Sequence, residues 1–169
     1  MSKVTLPGRT VQSSAVVNQT YKVFPNDLNS MGKVFGGLIM SIIDRTALVV
    51  AERHSGLPCV TVSVDSIHFL APATRGDTLL FSAAVNRSWN SSMEIGVRVT
   101  IENYRTRETH HILSAYLTFV ALDDDSKPAR VPPVIPETFL EKRRFEEAGE
   151  RRKMRHEEME KRRFNREQT

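Results

Sequence analysis

The longest apolar run of the chain lies between residues 36 and 51, where Ser41, Asp44, Arg45 and Thr46 are the only polar positions. A helix that is apolar nearly all round is buried rather than laid on a solvated surface. A glycine pair, Gly36-Gly37, opens the run, and Ser55-Gly56-Leu57-Pro58 closes it with glycine near the C-cap and proline just beyond. The pattern predicts a helix from about Gly36 to His54. Before it, residues 13–24 mix β-branched, aromatic and polar side chains and read as a strand. Residues 25–32, rich in Pro, Asn, Asp, Ser and Gly, read as a loop.

Four strand-like runs follow, at 59–69, 77–87, 93–104 and 109–122. Residues 93–101 alternate apolar and polar, the pattern of a half-buried antiparallel strand. Residues 71–76, 89–92 and 105–108 carry turn chemistry. Short connections place successive strands side by side and antiparallel. One long helix and one curved antiparallel sheet make a two-layer α+β domain. Such a sheet leaves open edges, which pairing with a second copy would protect.

The composition shifts after residue 125. Residues 126–136 form a proline-rich linker, and the prolines bar regular helix there. Residues 137–169 are rich in helix formers and offer Glu147–Arg151, Glu157–Lys161 and Glu158–Arg162 as i,i+4 pairs. Phe139, Leu140, Phe145, Met154, Met159 and Phe164 give an irregular apolar stripe with a poor heptad. A charged helical tail is expected, packing part of itself on the domain or a neighbour. The expected organisation is a flexible N-terminus over 1–12, one domain over 13–125, the linker over 126–136 and the tail over 137–169.

A chain of 169 residues suits one domain with a real core. Its single cysteine, Cys59, allows no internal disulfide, fits a reducing compartment and reads as a small buried hydrophobe. The first ten residues lack a signal core, and Asp44 interrupts the one stretch that approaches a membrane span. A cytoplasmic protein without membrane insertion is therefore expected. The net charge is +4, but residues 137–169 hold 11 Lys and Arg against 9 Asp and Glu. A tail so evenly balanced is unlike a nucleic-acid-binding arm, and no nucleic-acid partner is expected.

Asp44 is the first candidate for chemistry. A carboxylate on an apolar helix loses hydration and is kept only if something compensates it: a catalytic task, an ion pair or a wet helix edge. Gly37 is the second. The N–H groups around Gly36, Gly37 and Leu38 open a helix and lack intrahelical partners, so they can polarise a carbonyl oxygen that glycine lets approach. Tight packing of helix on strand accounts for the glycines equally well. Asp44 stands seven residues from Gly37 on the same helix face, about 10.5 Å along the axis. If both serve one substrate, they come from different copies, and the site spans a dimer interface. Asn29, seven residues before Gly36, can donate to a carbonyl oxygen or cap its own turn. Ser41 with His54 or His68 lacks a nucleophile-elbow context, and His68, His110 and His111 lack metal-ligand spacing.

Residues 27–37 together with Ile43-Asp44-Arg45-Thr46-Ala47 resemble the hotdog-fold acyl-CoA thioesterases, closest to the cytosolic acyl-CoA hydrolase branch. Residues 51–61, 91–95 and Glu150-Arg151-Arg152-Lys153 extend the likeness over about Val16 to Lys153. The resemblance implies hydrolysis of acyl-CoA to the free acid and coenzyme A, without a metal or cofactor, since coenzyme A belongs to substrate and product. By position it implies that Asp44 activates the water or attacks the thioester. It gives Asn29 the orienting of water or carbonyl, and the N–H near Gly37 the polarising of the thioester oxygen. It implies that Val62, Ser63 and Val64 line the coenzyme A path, that Ser91, Ser92 and Met93 contact it, and that Lys153 reaches a phosphate. It also implies dimers, often three in a hexamer. Lys33 departs from the family pattern, and where many relatives carry two such domains this chain has one, so the partner domain is a second copy. A non-catalytic acyl-CoA-binding regulator would need a DNA-binding helix pair, for which nothing before Ser13 suffices. A hotdog hydratase would need an aspartate–histidine pair at the helix start, where this chain has asparagine.

Overall fold

The computed structural model describes residues 6–167, with side chains described over 6–161. The expected helix forms as α1, Gly36–Ser55, and closes on Gly56, whose φ of 75° is the left-handed conformation that glycine adopts freely. Its Ile39, Ile43, Ala47, Val50 and Ala51 are buried.

Among the described residues seven strands accompany it: β1 (Arg9–Thr10), β2 (Val16–Lys22), β3 (Cys59–Phe69), β4 (Thr78–Ser88), β5 (Ser92–Glu102), β6 (Thr109–Ala121) and β7 (Val134–Ile135). β2 to β6 form one antiparallel sheet in the order β2-β4-β5-β6-β3. The period-2 pattern does what it promised. Met93, Ile95, Val97 and Val99 of β5, and Leu113, Ala115, Leu117 and Phe119 of β6, point to α1 and are buried. The core is this sheet face closed around α1.

Two expectations need correction. β3 and β4 follow each other in sequence with a short link, yet they are not neighbours: β6 and β5 lie between them. The link crosses the end of the sheet instead. Val34 N–H bonds Ala73 O at 2.9 Å, and Val23 N–H bonds Asp77 O at 3.0 Å, so the link seals the end where α1 begins. Residues 9–10, placed by the sequence reading in a flexible N-terminus, form β1 and pair in parallel with β7 inside the proline-rich linker.

β3 is the edge strand beyond β6, and it carries two bulges, one between Thr61 and Ser63 and one between Val64 and Ser66. A bulge adds one residue and changes which side chains face which side. Thr61 faces α1, whereas Ser63 and Asp65 meet the opposite face of the sheet. On that opposite face lies α2, Phe139–Glu167. Thr138 and Glu141 cap its start: Glu141 Oε2 accepts the N–H groups of Glu137 and Thr138 at 2.8 and 3.0 Å. Of the expected tail pairs, Glu147–Arg151 forms at 3.9 Å, while Arg162 and Phe164 lie outside the residues with described side chains.

Candidate active site

Asp44 sits midway along α1, half-buried between the fully buried Ile43 and Ala47. Within one protomer its carboxylate is not sealed from solvent. Thr61 on β3 donates its hydroxyl to Asp44 Oδ1 at 2.6 Å. The first bulge of β3 directly follows Thr61, which is how the strand spends one hydroxyl on α1 before its next polar residues turn away. Nothing in the local sequence pattern marked Thr61; its role becomes visible only when the edge strand is laid against the helix.

At the start of α1, the N–H groups of Leu38 and Ile39 bond Phe35 O at 3.0 and 3.4 Å. Leu38 is therefore not the free donor that the sequence suggested. Gly36 and Gly37 N–H make no hydrogen bond to the described residues, and they carry the positive end of the helix. Aromatic rings flank both. A Cβ on Gly37 would lie 2.4 Å from Phe35 Cε1, and one on Gly36 would lie 3.5 Å from Phe69 Cζ. A side chain at Gly37 would have to push the exposed Phe35 ring aside, and its absence leaves the backbone open to an approaching carbonyl.

Asn29 does what a turn residue does and retains a second capacity. Its Oδ1 accepts Met31 N–H at 2.9 Å and Lys33 N–H at 3.1 Å, and Gly32 takes the left-handed φ of 70° that the turn needs. Those two donors fix the amide orientation, because only oxygen can accept them. Nδ2 is left without a partner among the described residues, ready to donate outward. Phe35 N–H bonds Asp27 O at 2.8 Å, and Asp27 accepts Tyr21 Oη–H at 2.9 Å and Phe24 N–H at 2.7 Å. These bonds tie the Asn29 turn to the helix start. Asn29 and Gly37 thus share one end of α1, and Asp44 stands two turns away.

The remaining candidates gather elsewhere. Ser91 and Ser92 occupy the β4–β5 turn, and Ser92 and Val60 both align with Val120, so the turn lies two strands from β3. Val62 and Val64 are exposed on β3, and Ser63 donates to Asp65 Oδ1 at 2.5 Å. Lys153 is exposed on α2, next to Arg152, whose Nη1 donates to Ser92 Oγ at 3.0 Å. Met93 is different: its side chain is fully buried in the core facing α1, and the residue is paired on both sides, with Ser88 of β4 and Phe119 of β6, so the structure does not bring it to a ligand surface. Alternation placed it one residue inside the strand, on the α1 side.

Other chemistries find no geometry. Ser41 is exposed, while His54 is fully buried, with Nε2 3.1 Å from Pro132 O. Burial pushes the His54 pKa down, and the nearby Arg9 cation adds to this against the Pro132 hydrogen bond. Cys59 is buried 3.3 Å from Ser55 Oγ, and burial raises its thiol pKa, which suits packing rather than nucleophilic attack. Among the described residues no group of three or more His, Cys, Asp or Glu is placed to hold a metal ion. No helix of the described residues is long and apolar enough to cross a membrane.

Comparison with known proteins agrees with this geometry. The thioesterase superfamily model matches residues 31–107. An uncharacterized acyl-CoA thioester hydrolase of Bacillus subtilis is 42% identical over 130 residues, which are 77% of this chain and 75% of that protein. The acyl-CoA hydrolase of Staphylococcus aureus, solved in complex with butyryl coenzyme A and coenzyme A, superposes with a TM-score of 0.89 at 36% identity, covering 95% of this chain and 98% of that one. Structures of the Staphylococcus aureus enzyme also exist with alanine replacing an aspartate, an asparagine and a threonine. An apo-hexameric acyl-CoA thioesterase superposes with a TM-score of 0.87 at 37% identity, covering 91% of this chain and 98% of that one. The chain, with its sheet curled around one glycine-opened helix that carries Asp44, belongs to the thioesterase superfamily, among its acyl-CoA thioester hydrolases.

Proposed function

We propose that this protein hydrolyses acyl-CoA thioesters to the free acid and coenzyme A, at sites built between two copies of the chain. The observation that carries the reading is the arrangement on α1. A carboxylate held by Thr61 and a pair of free N–H donors share one helix face, about 10.5 Å apart along the axis. A thioester carbonyl is far too small to touch both. Two copies in antiparallel contact bring the Asp44 of one helix against the Gly36–Gly37 end of the other, and the same contact repeats by symmetry.

In each site the Gly36 and Gly37 N–H groups hold the thioester oxygen, with Asn29 Nδ2 beside them as a further donor. Asp44 of the other copy takes a proton from water as the water oxygen bonds the carbonyl carbon. The tetrahedral oxyanion collapses, the C–S bond breaks, and coenzyme A leaves as a thiolate that gains the proton. Coenzyme A enters only as part of the substrate.

The surface around the site supports the assembly. Val60, Val62 and Val64 on the edge strand β3, with Phe24, Met31, Phe35 and Met40, are exposed apolar side chains. An open apolar edge strand is a pairing surface. A dimer covers it, and three dimers make a hexamer; the acyl-CoA thioesterase that superposes with this chain is hexameric. Val62, Ser63 and Val64, the turn at Ser91 and Ser92, and Lys153 receive the coenzyme A part. A cytosolic location follows the rat relative of that name, 39% identical over 129 residues, of whose longer chain this one spans 33%.

The test is thiol release from acyl-CoAs of graded chain length, with Asp44→Ala as control. Release that the substitution abolishes supports the reading. A parent protein that frees thiol from none of them overturns it.

A further inference from the structure

Glu94 lies on the face of β5 where alternation promised solvent, yet it is fully buried. α2 covers it. Arg151 grips its carboxylate through Nη2 at 2.7 Å and Nε at 3.2 Å, and stacks its guanidinium 3.9 Å above the Tyr116 ring. Arg155 reaches Glu94 Oε2 at 3.3 Å and Asp65 Oδ2 at 2.9 Å. Asp65, the residue of the second β3 bulge, also accepts Ser63 Oγ–H and Thr118 Oγ1–H, and Asn86 Nδ2 donates to Glu94 at 3.0 Å. Two acids from two strands therefore meet two arginines one helical turn apart.

A buried ion pair is a poor stabiliser, because desolvation offsets most of the attraction. It is a strong selector of register, because any other alignment leaves a charge buried and unpaired. α2 has a second register mark. A Cβ on Gly149 would sit 2.5 Å from Arg87 Nη1, so a side chain there forces the guanidinium tip out of its place beside Phe145, on whose ring it stacks at 4.2 Å. Sliding α2 by one turn would move every side chain about 5.4 Å and break both marks.

What the register places is charge. Glu94 and Asp65 match Arg151 and Arg155. Arg152 and Lys153, between those two arginines, have no carboxylate partner among the described residues. Arg152 lies 4.3 Å over the Trp89 ring and donates to Ser92, at the β4–β5 turn. We propose that the Glu94–Arg151–Arg155–Asp65 network is a positioning latch for the nucleotide end of the substrate: it locks α2 to β5 and to the bulged edge of β3, and thereby sets Arg152 and Lys153 where the phosphates of coenzyme A bind. This rests on the acyl-CoA reading above, and it adds the residues that hold the phosphate-binding cations without touching substrate themselves. Asp65 and Glu94 are positioning residues.

Asp65→Asn and, independently, Gly149→Ala loosen the latch from its two marks. Steady-state kinetics with an acyl-CoA and with the matching acyl-pantetheine, which lacks the nucleotide, separate positioning from general damage. Each variant is expected to raise KM for the acyl-CoA about tenfold, the equivalent of one weakened charge-assisted phosphate contact. Its kcat and its KM for acyl-pantetheine are expected to stay within about twofold of the parent, because the latch lies on the opposite face of the sheet from Asp44 and separated sites act nearly independently. An unchanged KM for acyl-CoA, or an equal rise with both substrates, overturns the latch. Calorimetric titration with coenzyme A reads the same relation without turnover. Parent-like affinity in Asp65→Asn overturns the latch whatever the parent hydrolyses, whereas a parent inert toward every acyl-CoA overturns only the hydrolase reading.

Discussion

Thr61 Oγ1 and Asp44 Oδ1 are 2.6 Å apart, joined by a hydrogen bond that crosses from the edge strand to the central helix. The bond fixes one carboxylate oxygen, and the other makes no hydrogen bond with the described residues. Thr61→Val keeps the side-chain shape and removes the donor, and is expected to lower kcat about tenfold to a hundredfold, as losing the orientation of a general base does. Thr61→Ser is expected to keep most of the activity. Asp44→Asn is expected to lower kcat by about 10² to 10⁴ with a parent-like melting temperature. Steady-state kinetics beside thermal melts of the same preparations check all three.

Gly37→Ala separates stability from turnover. Alanine is the better helix former by up to about 1 kcal/mol, and the atom that its Cβ meets is the edge of an exposed ring that can swing away. The melting temperature is therefore expected to hold. The displaced Phe35 ring and the added methyl crowd the N–H donors, and kcat is expected to fall about tenfold or more, the scale of one compromised oxyanion donor. Equal turnover in parent and variant would remove the helix start from the mechanism.

The helix, the five main strands and the turn at 89–92 were legible because each rests on local chemistry: a glycine pair, a glycine–proline stop, strict alternation. The placing of β3 beyond β6 was not, because a short link reads the same whether it turns back or crosses the sheet end. Glu94 read as a solvated strand residue, since its arginine partners lie 57 and 61 residues away. Thr61 carried no local signal at all, for a bulge that changes which side chains face the helix is invisible in a run of alternating valines. The turn-capping capacity of Asn29 was legible, and the structure supplies its two bonds, to Met31 and Lys33 N–H.

His54 makes stability pH-dependent with a definite sign. Its pKa lies below the ordinary 6.5 because burial disfavours the cation. Above 6.5 the group is neutral in both states and its contribution is complete. As pH falls below 6.5 the unfolded chain gains a proton that the folded one refuses, and stability is lost until the lower folded value is passed. Thermal melts between pH 7.5 and 5 are expected to fall on the acid side, and less steeply in His54→Gln. Parallel slopes for parent and variant would assign the acid sensitivity to other groups.

Val62 tests the edge of β3. It is exposed, unpaired at the bulge and flanked by exposed valines. Val62→Lys places a charge on the pairing surface, a device that natural edge strands use against association. Light scattering after size-exclusion chromatography is expected to show smaller assemblies, with activity falling in step; an unchanged mass would place the copy–copy contact elsewhere.

The shared site is tested most directly by mixing Asp44→Ala chains with Asn29→Ala chains under conditions that exchange subunits. Each alone is expected to be inactive. If Asp44 of one copy serves the helix start of the other, every mixed dimer holds one intact site, and a one-to-one mixture is expected to recover about a quarter of the parent activity, since half of the dimers are mixed and each has one of two sites whole. Exchange confirmed by mass spectrometry with no recovery of activity would contradict a site built from two chains.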